Sequence, residues 1–310
     1  MDKSEVNEIS GVLLLDKPAG CTSHDLVNRV RKLYHTRRVG HTGTLDPMAT
    51  GLLVVLVGRA AKAAEYLVAG KKKYEALLRF GLSTDTQDTT GQVLATSDKI
   101  PTKSEIERIL PRFRGKIEQI PPMYSALKVD GKKLVDLARK GQTIERKPRP
   151  IEVYDLTLTP TEDPATYKLS ATVSAGTYIR TLCADIGDVL GCGGAMASLR
   201  RLETGGFRIE DAKTPEEIEA MDDGAREREL LPMESLFSSL PALTLSSFHE
   251  KLIRGGAMVA LYKLGEAARS LPLGARVRLK DEKGLFFALG ECKLDPEGTP
   301  TLKAIKTFVL

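Results

Sequence analysis

The sequence contains no tryptophan, and both cysteine and histidine are scarce. The four cysteines form no Cys-x-x-Cys pair, and the four histidines form no His-x-x-x-His pair. Disulfide-stabilised secreted domains use cysteine more densely, and zinc sites hold their ligands at short, repeated spacings. We therefore expect neither a disulfide framework nor a metal centre, and we assign no metal ligands.

Long apolar segments are also absent. No run of about 20 apolar residues is present, so the sequence predicts no membrane-spanning helix and no membrane partner. Residues 1–10 are polar, with three acidic residues and one lysine, which is not the pattern of a signal or transit peptide. These features predict a cytoplasmic protein.

The overall composition is typical of a globular protein. Hydrophobic residues make up 42% and charged residues 28% of the 310 positions, which excludes wholesale disorder and collagen-like repeats. At about 150 residues per domain, this length predicts two domains. The order of strand-like and helix-like segments predicts an α+β fold with a mixed sheet, followed beyond residue 240 by a small β-rich C-terminal domain.

The net charge of +5 is distributed unevenly. Residues 112–149 hold eleven Lys and Arg against four acidic residues, and residues 17–38 hold six against one. Residues 210–229 hold nine acidic and three basic residues. The basic blocks favour a polyanionic partner such as nucleic acid, although two solvated faces would give the same pattern.

Local patterns predict several elements before any function is considered. Thr22 and Asp25 have the spacing of a helix capping box, and apolar residues then recur at helical intervals. Residues 60–69 predict a short helix, and the alternation over residues 74–80 predicts a strand. Residues 112–149 contain few apolar side chains and predict an excursion from the core. The acidic residues 210–229 predict a connector with one helix.

A polar loop rich in Gly and Thr, residues 37–51, is the densest candidate for chemistry. It lacks the Gly-Lys-Ser/Thr ending of a phosphate-binding P-loop. It contains one carboxylate, Asp46, between Leu45 and Pro47. A carboxylate in this position could act as a nucleophile or base, or could simply cap the turn at Thr50 or Gly51. The local pattern alone favours the turn.

At this loop the chain closely resembles the signature of the TruB-type tRNA pseudouridine synthases, Gly-His-Thr-Gly-Thr-Leu-Asp-Pro-Met-Ala-Thr-Gly-Leu-Leu. Further segments resemble motifs of the same family, in the family's order and over roughly residues 11 to 235. They are residues 11–20, 73–74, 81–91, 121–131, 174–182 and 199–201. One departure is Val135, which stands where the family usually carries a Tyr.

The resemblance implies an architecture and an activity. Residues 1–235 would form the pseudouridine synthase catalytic domain, with residues 112–149 as an inserted thumb, and residues 236–310 a PUA-like RNA-binding domain. The family isomerises uridine-55 in the T loop of tRNA, so that the N-glycosidic bond breaks and carbon 5 of the rotated base joins the sugar. This isomerisation needs no cofactor. The implied partner is the T arm of tRNA, with no obligate protein partner, and a monomer is expected.

The resemblance also implies roles for individual residues. Asp46 would be the catalytic nucleophile, although attack on the sugar, attack on carbon 6 and removal of a sugar proton all stay open. Tyr74 would stack on the flipped uracil or act as a base, and Arg180 would pair with Asp46. Further substrate-binding residues would be His41, Tyr178, Leu199, Lys17 and Pro18, the last two mainly as support. RNA-binding residues of the thumb would be Lys128, Lys132, Lys133, Arg139 and Lys140.

Each of these residues has a simpler explanation when it is taken alone. Tyr74 would be a half-buried strand aromatic, Arg180 a surface arginine at a helix start, and His41 a turn residue. Their joint, ordered match favours the catalytic interpretation. Two alternatives stay open: a non-catalytic tRNA-binding or tRNA-folding protein on the same scaffold, and a related synthase that acts on other RNA with guide partners.

Overall fold

The computed structural model describes residues 9–67, 70–125, 127–129 and 131–308. Its strands are numbered in chain order as β1 (Gly11–Lys17), β2 (Val39–His41), β3 (Thr50–Val57), β4 (Lys72–Phe80), β5 (Leu82–Thr84), β6 (Val93–Thr96), β7 (Gly115–Gln119), β8 (Lys128–Val129), β9 (Lys132–Lys133), β10 (Arg149–Pro160), β11 (Thr166–Val173), β12 (Gly194–Thr204), β13 (Phe207–Arg208), β14 (Ala242–Thr244), β15 (Val259–Ala260), β16 (Arg276–Lys280), β17 (Phe286–Leu294) and β18 (Pro300–Thr307).

The α-helices are α1 (Ser23–Leu33), α2 (Lys103–Ile109), α3 (Leu134–Ala138), α4 (Ile179–Val189), α5 (Pro215–Glu219), α6 (Asp223–Arg228), α7 (Ser247–Arg254) and α8 (Glu266–Arg269). Short 3₁₀ helices span Gly58–Tyr66, Leu110–Phe113, Ile209–Asp211, Met233–Phe237 and Leu261–Lys263. The predicted capping box is confirmed, since the Thr22 hydroxyl accepts from the Asp25 amide and the Asp25 carboxylate from the Thr22 amide. No helix in the described part of the chain is long and apolar enough to cross a membrane.

A mixed sheet forms the larger unit, with strand order β1-β3-β12-β4-β11-β10-β7. β2 adds to β3, and β13 to β12. The pairing is antiparallel throughout except between β3 and β12, where Thr50 lies opposite Arg200 and Gly51 opposite Arg201. Gly51 has a φ of +101°, and a Cβ there would collide with the Arg201 backbone. The sheet confirms the predicted α+β class with mixed pairing.

The core lies between this sheet and helix α4. On β4 the alternate residues Tyr74, Ala76, Leu78 and Phe80 are buried, as the period of two in the sequence predicts. They pack with the buried face of α4 and with Leu45 and Ala49 of the polar loop. The start of β4 and the polar loop that carries Asp46 are thereby brought to the same edge of the sheet.

Three sequence predictions are wrong in detail. Residues 115–119 are not an excursion from the core, because β7 pairs with β10 at the sheet edge. The acidic connector contains two helices, α5 and α6. The turn after β3 is a 3₁₀ helix over Gly58–Tyr66, and residues 68–69 of the predicted helix lie outside the described residues. A strand of alternating charged residues at an edge carries little apolar signal, which is why β7 could not be recognised.

The smaller unit is a five-stranded sheet in the order β14-β16-β17-β18-β15, with α7 and α8 beside it. It confirms a small β-rich C-terminal domain. Three phenylalanines join it to the larger unit, since Phe237 lies 5.9 Å from both Phe286 and Phe308, centroid to centroid. Glu234 adds ion pairs to Arg278 at 2.6 Å and Lys280 at 2.8 Å.

The end of β1 anchors the signature loop through a buried lysine. Lys17 is fully buried, and its Nζ donates to the carbonyl oxygens of Pro18 at 2.9 Å, Pro47 at 3.3 Å and Ala49 at 2.7 Å. Burial lowers the pKa of this ammonium. Three donors on one compact group thus satisfy three backbone acceptors, of which the Ala49 carbonyl is fully buried.

We predict that Lys17→Met destabilises the fold by about 2 kcal/mol, because buried acceptors without a donor each cost roughly 1–3 kcal/mol and the lost buried charge offsets part of this. Urea unfolding followed by circular dichroism measures the change. Lys103→Met is the control, since the side chain of Lys103 is 73% exposed and its loss should change stability by less than about 0.5 kcal/mol. Equal stability of both variants would contradict an anchoring role for Lys17.

Candidate active site

The signature loop, residues 42–49, is held at the sheet edge by polar contacts to its backbone. The Ser23 hydroxyl, buried in the first turn of α1, accepts from the Leu45 amide at 2.9 Å and donates to the Leu45 carbonyl at 3.1 Å. The Gly20 amide donates to the Pro47 carbonyl at 2.9 Å. Together with the lysine anchor described above, these contacts fix the turn that carries Asp46.

Arg180 lies in the first turn of α4 and is 6% exposed. Its Nε lies 3.1 Å from Asp46 Oδ2, and its Nη2 donates to Asp46 Oδ1 at 3.4 Å. Nη2 also donates to the Tyr124 carbonyl at 2.8 Å, while Nη1 donates to the Thr86 carbonyl at 3.1 Å and to Asp88 Oδ2 at 3.4 Å. All three guanidinium nitrogens are bonded, so the plane of the group is fixed with one edge toward Asp46.

Asp88 is the second carboxylate on Arg180, and it is 4% exposed. Its Oδ1 accepts from the Thr86 hydroxyl at 2.9 Å and from the Thr90 amide and hydroxyl at 3.0 and 2.5 Å. The same loop is fastened to β12, since the Thr89 amide donates to the Met196 carbonyl at 3.0 Å. Asp88 therefore holds Arg180 from the side opposite Asp46.

Burial and three neighbouring charges shift the pKa of the Asp46 carboxyl. Burial raises the pKa of its carboxyl, and the negative charge of Asp88 raises it further, whereas Arg180 and Lys17 lower it. The Asp46 side chain nevertheless stays 34% exposed, in contrast to 6% for Asp88. A carboxylate that is aimed, partly desolvated and open on one side can react with a group brought up to it.

Aromatic and aliphatic residues adjoin this pair. Tyr74 is 6% exposed and shares an apolar cluster with Leu45, Ala49 and Leu199. Leu45 is the residue before Asp46, so Tyr74 belongs to the same buried cluster as the loop that carries the carboxylate.

Tyr178 is positioned through its backbone just before α4. Its amide donates to Gln119 Oε1 at 2.8 Å, and its carbonyl accepts from Gln119 Nε2 at 3.1 Å. Gln119 is the last residue of β7, so the edge strand fixes the start of the helix that carries Arg180.

The other predicted substrate residues lie farther from the Asp46–Arg180 pair or beneath it. His41 is half-buried on β2 opposite Val55, and its Nδ1 is buried without a hydrogen-bond partner among the described residues. Burial lowers the pKa of His41, and the charge of Arg201 lowers it further. Lys17 lies under the loop, and Pro18 beside it is exposed.

The predicted RNA-binding side chains of the thumb form a separate, exposed group. The members are Lys128, Lys132, Lys133, Arg139 and Lys140. Tyr124, at the base of the thumb, connects this group to the site, since its carbonyl accepts from Arg180 and its hydroxyl donates to Asp85 Oδ2 at 3.2 Å.

Four further polar residues support the site and were not recognised as functional from sequence: Ser23, Asp88, Gln119 and Arg201. All four are buried. Asp88 and Arg201 stand inside matched motifs, but nothing in the local pattern shows which side chain faces inward. Ser23 and Gln119 act through backbone contacts to residues 22 and 59 positions away, and a single sequence gives no signal for such contacts. Within the described ranges, no three His, Cys, Asp or Glu side chains group as metal ligands would.

Comparison with known proteins places this site in a family. The model of the TruB family pseudouridylate synthase N-terminal domain matches residues 31–179, and that of the tRNA pseudouridylate synthase B C-terminal domain matches residues 180–238. The chain is 41% identical over 303 residues to tRNA pseudouridine synthase B of Aromatoleum aromaticum, covering 97% of this chain and 94% of the relative. It is 42% identical over 299 residues to the protein of that name in Pseudomonas putida, covering 94% of each.

A solved structure supports the same conclusion. The crystal structure of a Cbf5–Nop10–Gar1 complex contains a chain that matches with a TM-score of 0.73 and 26% identity, over 96% of this chain and 85% of the other. The resemblance found in the motifs is thus confirmed along nearly the whole sequence. The chain belongs to the TruB family of pseudouridylate synthases.

Proposed function

We propose that this protein is a tRNA pseudouridine synthase that isomerises uridine-55 in the T loop of tRNA, with Asp46 as its catalytic carboxylate. The observation that carries the proposal is the ion pair between Asp46 and the buried Arg180, next to Tyr74, in a chain of the TruB family. The names of the relatives support tRNA as the substrate.

The reaction rearranges one nucleotide without adding or removing atoms. The bond between the ribose carbon 1′ and N1 of uracil breaks, the base rotates, and carbon 5 bonds to carbon 1′. The proton on carbon 5 is lost, and N1 ends with a proton. Such chemistry needs a nucleophile or base that stays beside the sugar and base throughout.

Asp46 suits this task as a nucleophile because the charge of Arg180 lowers the pKa of its carboxyl against the effect of burial, and because one side of the group is exposed. The Arg180 fork fixes the direction of the carboxylate oxygens, which a lysine ammonium would not do. Asp88 and two backbone carbonyls hold the guanidinium in place, so little reorganisation is needed when charge moves onto or off Asp46.

A base inside a folded RNA loop must leave its stack before this carboxylate can reach the sugar. Extrusion costs a few kcal/mol, which aromatic stacking and loop-filling side chains repay in part. Tyr74 offers the ring, Leu199 and Tyr178 complete the apolar wall, and His41 would fill the space in the RNA that the base leaves. The exposed thumb lysines would bind phosphates on the outside of the T arm.

The proposal is tested directly by mapping pseudouridine in an unmodified tRNA transcript after incubation with the protein. We expect one modified position, uridine-55, and no product in a transcript with cytidine at that position. A product elsewhere in the tRNA would contradict the site assignment, and no product at all would favour a tRNA-binding role without catalysis.

Asp46→Asn should abolish isomerisation, because the amide is neutral and a poor nucleophile, while tRNA binding survives. Single-turnover pseudouridine formation and filter binding measure the two effects separately. Asp98→Asn, an exposed loop substitution that also removes one negative charge, is the matched control and should keep normal turnover. Near-normal turnover by Asp46→Asn would remove this residue from the mechanism.

Arg180→Ala should lower single-turnover rates by at least about 100-fold, because a partner lost from a buried ion pair costs roughly 3–5 kcal/mol and each 1.4 kcal/mol is tenfold in rate. Arg180→Lys should recover only part of this loss, since one ammonium cannot reach Asp46, Asp88 and the Tyr124 carbonyl together. Circular dichroism shows whether each variant folds. Full recovery with Lys would mean that charge alone matters.

Replacing Lys132, Lys133, Arg139 and Lys140 together with Ala should weaken tRNA binding and flatten its salt dependence. Each phosphate contact contributes a slope of about −0.7 to −0.9 in log K against log salt, so a loss of two or more contacts is measurable. Turnover at saturating tRNA should change little. The control replaces two lysines and two arginines at other exposed positions, Lys103, Lys168, Arg79 and Arg108. Equal slopes for both variants would show that the thumb charges are only solvated.

A further inference from the structure

Two basic side chains meet beside the signature loop with donors that remain unused. Arg201 is fully buried, and it donates from Nε to the Leu52 carbonyl at 2.7 Å and from Nη2 to the Gly43 carbonyl at 3.0 Å. Its Nη1 is buried and has no hydrogen-bond partner among the described residues. The ammonium group of Lys72, a half-buried residue of β4, has no hydrogen bond or ion pair within the described part of the chain. A buried nitrogen without an acceptor, such as Arg201 Nη1, is rare in folded proteins.

Gly43 leaves an open point between these two cations. A Cβ built on Gly43 would lie 3.3 Å from Lys72 Nζ and 3.5 Å from Arg201 Nη1, and no third atom beyond the adjacent residues comes within 4 Å of it. Both nitrogens lie on the side of Gly43 where a side chain would project, so one acceptor group seated on that side of the backbone faces both of them. The φ of Gly43 is not in the left-handed region, so the missing side chain matters for space and not for backbone conformation.

The unpaired charges destabilise each other in the free protein. Burial lowers the pKa of Lys72 to about 8, and the charge of Arg201 lowers it further. A cavity of about 390 Å³ opens beside Lys72, and its lining carries hydroxyls but no carboxylate. The hydroxyl-bearing residues are Thr42, Thr204, Ser238 and Ser239. A bound anion would relieve the repulsion and could enter from this side.

Gly43, Lys72 and Arg201 lie close, in sequence or in strand register, to Asp46 and Tyr74 of the proposed active site. Gly43 precedes Asp46 by three residues in the same loop. Lys72 precedes Tyr74 by two, so both side chains lie on one face of β4. Arg201 pairs with Tyr74 in the β12–β4 register. A nucleotide held at Asp46 and Tyr74 would therefore bring a phosphate of its own strand toward Gly43, because each nucleotide is followed by one phosphate.

We propose that Gly43, Lys72 and Arg201 form a phosphate subsite, which takes a backbone phosphate of the RNA adjoining the flipped uridine. This proposal rests on the proposed function, since the phosphate is identified by its place in the RNA chain next to the reacting nucleotide. It would anchor the extruded nucleotide from its backbone while the thumb holds the outside of the helix. The same group could also accept a free phosphate ester, and the experiment separates the two sources.

The test uses T-arm hairpin RNAs in which one phosphate at a time is replaced by a neutral methylphosphonate. The kcat/KM for pseudouridine formation is measured with the wild-type protein, Lys72→Met, Gly43→Ala and the control Lys73→Met. Lys73 is the next residue on β4, and it points to the other face, where it pairs with Glu203 at 3.8 Å. Thermal unfolding of each variant verifies the fold, and Gly43→Ala keeps every charged group while its methyl group fills the point.

One methylphosphonate next to the target uridine should lower kcat/KM about tenfold for the wild type and for Lys73→Met. With native RNA, the kcat/KM of Lys72→Met and of Gly43→Ala should be about tenfold below that of the wild type. The methylphosphonate should not lower it further in these two variants, because the phosphate and the subsite act as a coupled pair. Equal sensitivity of all four proteins would overturn the subsite. Competitive inhibition by inorganic phosphate, without any sensitive RNA position, would overturn the RNA assignment in favour of a free ligand. Absence of product with wild type on native RNA would contradict the proposed function itself.

Discussion

The buried guanidinium of Arg180 is the constraint on which the arrangement of the site depends. A guanidinium cannot lose its charge in a protein, so its burial is costly unless its nitrogens find acceptors, and all three nitrogens of Arg180 do. The acceptors come from the signature loop, from the loop after β5 and from the base of the thumb, at Asp46, Asp88 and the carbonyls of Thr86 and Tyr124. Three segments that are far apart in sequence are thus brought to one helix terminus by one side chain.

Other buried cations hold the rest of the signature loop in the same manner. Lys17 satisfies carbonyls at its C-terminal side, and Arg201 satisfies the Gly43 carbonyl at its N-terminal side. The loop has no regular hydrogen-bonding partner of its own, because it connects strands at the edge of the sheet. Basic side chains projecting from β1 and β12 replace that partner. The rigidity of Asp46 is therefore a property of the sheet, because side chains from β1 and β12 hold the loop that carries it.

The sequence alone was sufficient to identify the motifs and to predict the elements that have strong local signals. The capping box at Thr22, the alternation on β4 and the helix over α4 are determined within a few residues, and the structure has all three. Strand β7 could not be predicted, because Ile117 is its one large apolar residue and the strand exists only through pairing with β10. The same limit applies to Asp88 and Gln119, which look like ordinary polar loop or edge residues until a distant helix is placed against them. The roles of Asp46, Tyr74 and Arg180 came from the family resemblance, since the pattern around each residue alone favoured a structural explanation.

The two basic blocks of the sequence differ in the folded protein in how far their charges are buried or paired. In the first block, Lys17 is buried, and Arg29 bonds to Glu219 at 2.7 Å and to Glu216 at 3.1 Å. The acidic connector therefore lies against α1 and neutralises the charge of Arg29, whereas Lys32 and Arg37 of the same block stay exposed. The second block, in the thumb, has exposed lysines next to the base that touches Arg180. Because a phosphate binds where positive charge is both exposed and uncompensated, the thumb block suits a polyanionic partner better than the first block does.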